Sequence, residues 1–233
     1  MDSFEDIASR VLFEDNHLII INKKSSEIVQ GDKTGDIPLS ELVKQYLKKK
    51  YNKPGNVFCG VVHRVDRPVS GCVIFARTDK ALSRMNKLIQ ERKIKKIYWA
   101  IVKNKPQEES ATLIHYLKKN EVQNKSYAVK QAVQGALKAE MNYKVIGKSD
   151  NFYLLEIELL TGRHHQIRAQ LAEIGCPVKG DLKYGYSSSN QDAGIDLHAR
   201  KVEFTHPVNN NIVSVIAPVP DNKLWKIFTE ISY

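Results

Sequence analysis

The sequence of 233 residues predicts an α+β fold built on a long, mixed, mainly antiparallel sheet that helices and loops flank. Strand-like apolar segments do not alternate strictly with helix-like ones, which argues against a doubly wound nucleotide-binding fold. The second half of the chain also contains two long strand segments joined by a short turn at 148–151, a meander typical of antiparallel pairing. The length suits one domain, so we expect a single catalytic domain over 1–233 with a central basic cleft.

Each predicted strand is a run of apolar and β-branched residues between turn-forming residues. The segment 187–194 (SSSNQDAG) is rich in Ser, Asn and Gly and predicts a mobile loop. The strand candidates are His17–Asn22, Val57–Val62, Cys72–Ala76, Ile97–Val102, Lys138–Ile146, Phe152–Leu160, Leu197–Phe204 and Ile212–Ile216.

Four helices are predicted from apolar side chains at helical spacing, which form core-facing stripes. Thr78 suits the N-cap of the second helix, because its hydroxyl can accept an otherwise unpaired backbone N–H. The third helix extends from about His165 to Ile174 and stops at Gly175, a residue suited to the left-handed conformation. The stripes of the other three are Leu39, Leu42, Val43, Tyr46 and Leu47; Leu82, Met85, Leu88 and Ile89; and, after a start near Asp221, Leu224, Ile227, Phe228 and Ile231.

The formal net charge of +10 bears on the partners of the chain. A balance this basic indicates a polyanion, with nucleic acid the first candidate and a basic protein without such a partner the alternative. Much of the charge lies in the segments 44–53 and 91–96. These are either solvated faces or the phosphate-contacting edges of one groove.

Several classes of protein are disfavoured by what the sequence lacks. No run of about 18 apolar residues and no signal-peptide core occur, so we expect a cytoplasmic protein without a membrane segment. Cys59 and Cys72 lie in apolar runs and predict buried free thiols rather than a disulfide framework. No phosphate-binding or dinucleotide-binding glycine motif, no HExxH metal motif and no GxSxG hydrolase motif is present.

The first candidate site lies in the segment 61–71 (VVHRVDRPVSG), a polar cluster between two apolar strand candidates. Asp66 stands between Arg64 and Arg67 in this segment. Nearby positive charge favours the ionised carboxylate, so Asp66 should be an anion at neutral pH and available as a nucleophile. A structural ion pair in a loop explains the same spacing equally well.

The second candidate site lies in the segment 160–171 (LTGRHHQIRAQL). Arg168 follows His164 and His165 by four and three residues, so these side chains lie on one side of a helix, with Ile167 on the buried side. The polar side is expected at the sheet edge near a helix N-terminus, a place that attracts anions. A solvated basic helix end is the alternative.

Both segments resemble motifs of the RluA-type pseudouridine synthases. HRVDRPVSG (63–71) resembles the HRLDxxTSG of that family, and 162–185 resembles its GRTHQIRxHLxxxGxPIxGDxxYG. The resemblance covers nearly the whole chain, about residues 11 to 220, with the motifs in the family's order. The other matching segments are 11–27 (VLFEDNHLIIINKKSSE), 95–102 (KKIYWAIV, resembling KxYxAxV) and 197–207 (resembling LHAxxLxFxHP).

The resemblance implies roles for individual residues. Asp66 aligns with the catalytic aspartate of the family, and Arg168 aligns with the arginine that pairs with it. Tyr98 aligns with the tyrosine that stacks on the target base and can move a proton, and Ile167 aligns with an apolar residue of the pocket. Arg64 matches the residue that the family associates with flipping the base and filling the vacated space.

Further contacts to the substrate are expected around these positions. His63 is expected to orient the loop that carries the nucleophile. Lys179 and Lys183 are candidate phosphate contacts, as are the two basic segments, and Arg67 and His165 are further candidate substrate contacts.

The implied function is the isomerisation of uridine to pseudouridine in structured RNA, either ribosomal or transfer RNA. The N1–C1′ bond breaks, the uracil turns, and C5 joins C1′, which requires no metal, nucleotide or redox cofactor. The base must leave its stack to be reached, and single-stranded loops make this easiest. Whether Asp66 attacks the base or the sugar, or promotes a glycal route, stays open.

The chain departs from the family pattern at Lys24 (usually Pro), Val69 (usually Thr) and His164 (usually Thr), which bears on loop shape or substrate choice. With its first strand near residue 11, we expect a monomer without a preceding S4-type RNA-binding domain. A non-catalytic RNA-binding factor on this fold would be expected to lack Asp66 or Arg168. A glycosidase or nucleosidase would need a second acid beside Asp66.

Overall fold

The computed structural model describes residues 3–129 and 131–231, which form two compact units. Unit 1 joins the chain up to Ile94 to the segment Ala199–Pro218. Unit 2 joins Lys95–His198 to the part that follows Pro218. The predicted nucleophile Asp66 belongs to unit 1, whereas Tyr98 and Arg168 belong to unit 2.

Helices and strands alternate irregularly along the chain, as an α+β fold requires. The α-helices of the described residues are α1 (Ser3–Ala8), α2 (Leu39–Lys50), α3 (Asp79–Gln90), α4 (Gln166–Glu173) and α5 (Lys223–Ile231), and a 3₁₀ helix covers Leu182–Tyr184. The strands are β1 (Val11–Glu14), β2 (Leu18–Lys23), β3 (Gly60–Val61), β4 (Ser70–Ala76), β5 (Lys95–Val102), β6 (Ser110–Asn120), β7 (Lys125–Val129), β8 (Leu137–Lys148), β9 (Tyr153–Leu159), β10 (Leu197–Thr205) and β11 (Ile212–Ile216).

The strands of unit 1 follow the order β1-β2-β4-β10, with β11 beside β10 and β3 beside β4. Helix α3 covers one face with Ala81 and Met85, which pack against the buried side chains of β2, β4, β10 and β11. The hydroxyl of Thr78 accepts a hydrogen bond from the Ala81 N–H at 3.2 Å, which confirms the predicted N-cap. Asp66 lies on the loop between β3 and β4, and both ends of this loop are anchored in this core.

Helix α2 is attached to β1 through the carboxylate of Glu14. That carboxylate accepts hydrogen bonds from Tyr46 at 3.0 Å, Lys50 at 2.8 Å and Tyr51 at 2.6 Å. Burial by itself would raise the pKa of Glu14, but the bonds from Lys50 and the two tyrosines outweigh it and lower the pKa. The end of α2, and with it the basic segment 44–53, is therefore fixed to the sheet of unit 1.

The strands of unit 2 form the antiparallel meander β5-β9-β8-β6-β7. The turn between β8 and β9 is closed by the Ser149 N–H, which donates to the Phe152 carbonyl at 2.9 Å, as the sequence predicted. Helix α4 packs on one face of this sheet, where Ala169 meets Ala139. Helix α5 packs on the other face, where Phe228 lies against a cluster of buried apolar side chains, Trp99, Ile101, Leu154 and Trp225.

Most predicted elements are confirmed, with a few corrections. The strand predicted over Val57–Val62 is reduced to β3, because only Gly60 and Val61 pair with β4. The expected first strand near residue 11 corresponds to β1, whereas α1, β6 and β7 were not predicted. The segment 187–194 has no helix or strand, but Asn190 at its centre is bonded to Lys179 and Asp196.

Cys59, Cys72 and Cys176 are buried and unpaired by disulfides, and burial raises the pKa of Cys59 and Cys72 to about 12. None of the helices in the described part of the chain is long and apolar enough to cross a membrane. Over the same residues, no group of three or more His, Cys, Asp or Glu side chains is placed to hold a metal ion.

Candidate active site

Asp66 lies on a tight turn between β3 and β4 in unit 1. The Val69 N–H donates to the Asp66 carbonyl at 3.0 Å and closes the turn around Arg67 and Pro68. The Asp66 side chain is partly exposed, whereas Val65 and Val69 on either side of the turn are buried. The loop is therefore anchored by its two buried valines, and Asp66 between them stays partly exposed.

Lys23 supports this turn from inside the protein. Its side chain is 1% exposed, and its ammonium donates to the carbonyls of Arg67 at 3.0 Å and Val69 at 2.6 Å, as well as to that of Lys24. Burial lowers the pKa of Lys23 to about 7, against the opposing effects of the negative charges on Glu27 and Asp66. Lys23 thus joins the end of β2 to the two peptide groups that flank the turn.

Gly71 fixes the direction in which the loop enters β4. Its φ is +111°, and a β-carbon at this position would lie 2.4 Å from the carbonyl oxygen of Ala199. Only glycine tolerates both this backbone conformation and this close approach. The Gly that follows Ser70 in the motif is therefore required by the packing of β4 against β10.

The other motif residues of unit 1 differ in exposure. His63 is partly buried, and its Nε2 accepts a hydrogen bond from the Ile74 N–H at 3.3 Å, which ties the start of the loop to β4. Arg64 is exposed. Arg67 is also exposed, and its guanidinium lies 2.7 Å from the carboxylate of Asp36.

In unit 2, Gln166 organises the turn that precedes α4. Its side-chain oxygen accepts hydrogen bonds from the Thr161 hydroxyl at 2.7 Å and the Arg163 N–H at 3.0 Å. Its side-chain amide donates to the Glu140 carbonyl on β8 at 3.0 Å. The helix ends as predicted, because Gly175 has a φ of +76° and the Cys176 N–H returns to the Leu171 carbonyl at 2.9 Å.

His165 is the residue immediately before α4 and adopts a left-handed conformation with a φ of 53°. Its ring stacks on His164 at 3.8 Å between centroids, and its Nδ1 lies 3.1 Å from the Tyr184 hydroxyl. Burial, together with the charge of Arg168, lowers the pKa of His165 to about 2. His165 is therefore a neutral hydrogen-bonding group and not a cation.

Arg168 projects from α4 and is almost fully buried. Its Nε and Nη2 donate to the two carboxylate oxygens of Asp181 at 2.6 and 2.8 Å. The same guanidinium lies 5.0 Å from the ring centroid of Tyr184. A bidentate carboxylate fixes both the position and the plane of an arginine, so Asp181 and Tyr184 orient Arg168.

Tyr98 lies in β5 and shares a sheet face with α4. It pairs with Ile157, which in turn pairs with Tyr143 on β8, and directly paired residues point to the same side of a sheet. Ala139, four residues before Tyr143, packs against α4 on that side. Tyr98 is 8% exposed, and Ile167 of α4 is likewise buried.

The family of the chain follows from comparison with known proteins. A family model described as RNA pseudouridylate synthase matches residues 17–173, which include both motif segments. The chain belongs to the RNA pseudouridylate synthase family. It is an enzyme that isomerises uridine in RNA, and the predicted family and fold are confirmed.

Alignments with named relatives cover nearly all of the chain. It is 33% identical over 221 residues to the ribosomal large subunit pseudouridine synthase C of Buchnera aphidicola, covering 92% of this chain and 68% of that protein. It is 32% identical over 218 residues to the RNA pseudouridine synthase YhcT of Bacillus subtilis, covering 90% of this chain and 68% of that protein. Human RNA pseudouridylate synthase domain containing 4 has the same fold, with a TM-score of 0.80 at 19% identity over 98% of this chain and 95% of that one.

The two lysines predicted to contact phosphate differ in their surroundings. The ammonium of Lys179 is bonded to Asp196 at 2.9 Å and to Asn190 at 2.6 Å, so it serves as a structural ion pair within unit 2 of the synthase. Lys183 is exposed, and it donates to the carbonyl of Asn124 at 3.1 Å in the turn between β6 and β7. Of these two lysines, Lys183 is the exposed one.

Sequence reasoning assigned no role to several residues that shape this site in the synthase. Lys23 supports the turn of Asp66, and Asp181 and Tyr184 contact Arg168. Asp181 and Tyr184 stand in the motif GDLKYG, and Lys23 follows the apolar run of β2, so their positions were visible but their partners were not.

Proposed function

We propose that this synthase modifies uridines of ribosomal RNA, with transfer RNA as a further substrate class, and that Asp66 is its nucleophile. The observation that carries the proposal is the position of Asp66. The partly exposed residue Asp66 lies on a turn to which the buried Lys23 donates hydrogen bonds, within the segment that matches the family. The choice of ribosomal RNA draws on relatives named as large-subunit synthases C and D.

In the proposed reaction, the carboxylate of Asp66 promotes cleavage of the N1–C1′ bond. The released uracil rotates and C5 bonds to C1′, after which the proton on C5 leaves and N1 carries a proton in the product. Atoms and electrons balance within the nucleotide, so the step is an isomerisation. We assign to Arg168 the electrostatic stabilisation of the nucleophile, with its guanidinium oriented by Asp181.

We assign the base-holding groups to the face of unit 2 that carries α4. Tyr98 provides an aromatic surface for the flipped uracil and a hydroxyl that can relay the proton from C5, taking it up as its own proton passes on. Ile167 lines the apolar side of this pocket, and the neutral His165 offers a hydrogen bond. Arg64, exposed beside Asp66, fills the space that the base leaves.

Binding of the RNA is assigned to exposed basic residues in the segment 44–53, to Arg92 and Lys93 of the segment 91–96, to Arg67 and to Lys183. Phosphate contacts supply most of the affinity of such proteins and little sequence information. We further propose that the synthase acts in the cytoplasm as a monomer, with both units forming one catalytic domain.

The test replaces the nucleophile and a neighbouring carboxylate in parallel. Wild type, Asp66→Ala, Asp66→Asn and Asp36→Asn are incubated with ribosomal and transfer RNA from cells that lack the gene. Pseudouridines are then mapped as reverse-transcription stops at carbodiimide adducts. We expect the Asp66 variants to lose turnover by at least about a thousandfold, because the nucleophile is absent.

The Asp36→Asn variant is the matched control, since it removes a carboxylate that pairs with Arg67 next to the nucleophile. It should convert the same uridines as wild type, and the RNA affinity of all variants should change by less than about tenfold. Normal turnover by Asp66→Asn would contradict the assignment of the nucleophile. Release of free uracil would indicate a nucleosidase.

A further inference from the structure

Lys96 and Tyr98 lie on the same face of β5. Side chains two residues apart in a strand point to one side of the sheet, about 7 Å from each other along the strand. Lys95 points to the opposite side, where its ammonium lies 3.7 Å from Glu158. The two adjacent lysines therefore have different surroundings, and only Lys96 faces the region that we assign to the flipped base.

The ammonium of Lys96 is withdrawn from water without a counter-charge. The residue is partly buried, and burial lowers the pKa of its ammonium. Among residues 3–129 and 131–231, no carboxylate or hydrogen-bond acceptor pairs with it. The other buried lysines differ in this respect, since Lys23 binds three carbonyls and Lys179 binds Asp196.

Gly162 leaves one side of this ammonium uncovered. A β-carbon at Gly162 would lie 3.4 Å from Nζ of Lys96, so any larger residue would lie against the charge. Gly162 belongs to the segment that leads from β9 into α4, the helix that carries Arg168 and Ile167. The uncovered side of Lys96 is thus next to the segment that enters the catalytic helix.

From this placement we infer that Lys96 binds a phosphodiester of the RNA, the one adjacent to the uridine whose base lies on Tyr98. The inference rests on the proposed function. A cation removed from water destabilises the folded chain unless an anion compensates it, and no described side chain supplies that anion. The phosphodiester is the anion that every RNA substrate carries, and a contact to it fixes position without reading sequence.

Salt-dependent binding tests the contact without requiring turnover. The affinity of a short oligouridylate is measured over a range of KCl concentrations for wild type, Lys96→Gln, Lys96→Arg and Lys95→Gln. Loss of one phosphate contact on a single strand lowers the slope of log affinity against log salt by about 0.7. We expect this loss in Lys96→Gln, with affinity reduced several-fold, and wild-type slopes in Lys96→Arg and in the control Lys95→Gln.

Thermal unfolding of the same variants separates a binding residue from a structural one. Because Lys96 has no protein partner among the described residues, Lys96→Gln should leave the unfolding midpoint unchanged or raise it while weakening RNA binding. An unchanged salt slope in Lys96→Gln, or a slope loss that Lys95→Gln shares, would overturn the inference. Failure of wild type to form pseudouridine in any ribosomal or transfer RNA would instead overturn the proposed function, while the binding measurements still decide Lys96.

Discussion

Lys23 carries a charge into the interior of unit 1, and its contacts connect the end of β2 with the loop of Asp66. The Arg67 carbonyl also accepts the Ser26 N–H at 2.9 Å, so one peptide group of the turn accepts a donor from the end of β2 and another from the segment after it. A turn held at this peptide cannot rotate without breaking both bonds. We therefore regard Lys23 as a positioning residue for the nucleophile.

The Lys23→Met variant tests this role, because methionine has a similar shape and no donor. Loss of the donor leaves buried carbonyls unsatisfied, which costs about 1–3 kcal/mol of unfolding free energy. Displacement of the turn should also lower kcat by at least about tenfold with little change in KM. Lys24→Met is the matched control, since Lys24 is 59% exposed; equal kcat in the two variants would contradict the role.

The lowered pKa of Lys23 predicts how the stability of wild type changes with pH relative to Lys23→Met. The pKa of Lys23 is about 7 in the folded protein and 10.5 ordinarily, so between these values the unfolded chain binds more protons. The unfolding free energy of wild type should then rise with pH from 7 to 10, by at most about 1.4 kcal/mol per pH unit. Denaturant unfolding of both proteins should show the gap to Lys23→Met widening over this range.

The sequence motifs identify Asp66, Arg168 and Tyr98 as candidates, but they do not reveal the residues that support these candidates in the fold. Asp66, Arg168 and Tyr98 stand in short motifs whose residues are neighbours along the chain. Their supports are separated from them in sequence, by 46 positions for Lys23 and Val69 and by 13 positions for Arg168 and Asp181. Such contacts depend on how strands and helices pack, which one sequence does not reveal.

Gly71 and Gly175 both have a positive φ, but the space around their β-carbon positions differs. Gly71 is the second residue of β4 and has a φ of +111° with the Ala199 backbone against it, whereas Gly175 follows α4 with a φ of +76° and no atom within 4 Å of its β-carbon position. Gly175→Ala should destabilise the protein by about 1–2 kcal/mol through backbone strain alone.

Gly71→Ala adds a clash of 2.4 Å with the Ala199 carbonyl oxygen to the strain, and backbone cannot yield as a flexible side chain can. We expect it to lose more than about 4 kcal/mol of unfolding free energy, or not to fold. Urea unfolding of both variants makes the comparison. Equal losses in the two would show that β4 and β10 can separate at no cost, against the packing described above.

Strands with regularly spaced apolar residues could be predicted from the sequence, whereas strands stabilised mainly by backbone hydrogen bonds to neighbouring strands could not. Strands β2, β4, β5 and β9 carry continuous or alternating apolar residues that signal burial. Strands β6 and β7 alternate exposed and partly buried residues, with Lys118, Lys119 and Lys125 among them, so composition resembled a charged loop. What makes them strands is the backbone pairing of β6 with β8 and β7.

The net charge of +10 raises the question of whether the whole molecule or particular surfaces attract RNA. Within the basic segment 44–53, Lys50 is bonded to Glu14, whereas Lys48 and Lys53 are exposed on the part of unit 1 that this bond anchors. Lysines fixed on a rigid surface can each contact a particular phosphate. The net charge of the whole molecule, in contrast, only raises the local concentration of RNA. The two effects differ in how strongly each depends on position.

Two double variants with the same change in net charge decide between these effects. Lys48→Glu with Lys53→Glu alters the proposed surface, and Lys103→Glu with Lys148→Glu alters exposed lysines of unit 2; each lowers the net charge from +10 to +6. The salt slope of RNA binding should fall by about 1.4 in the first pair, as expected for two lost contacts to a single strand, and by less than half as much in the second. Equal salt slopes in the two double variants would assign the affinity to net charge and would remove α2 from the proposed RNA-binding surface. The reason is that a contact made at a particular position cannot be replaced by charge elsewhere on the molecule.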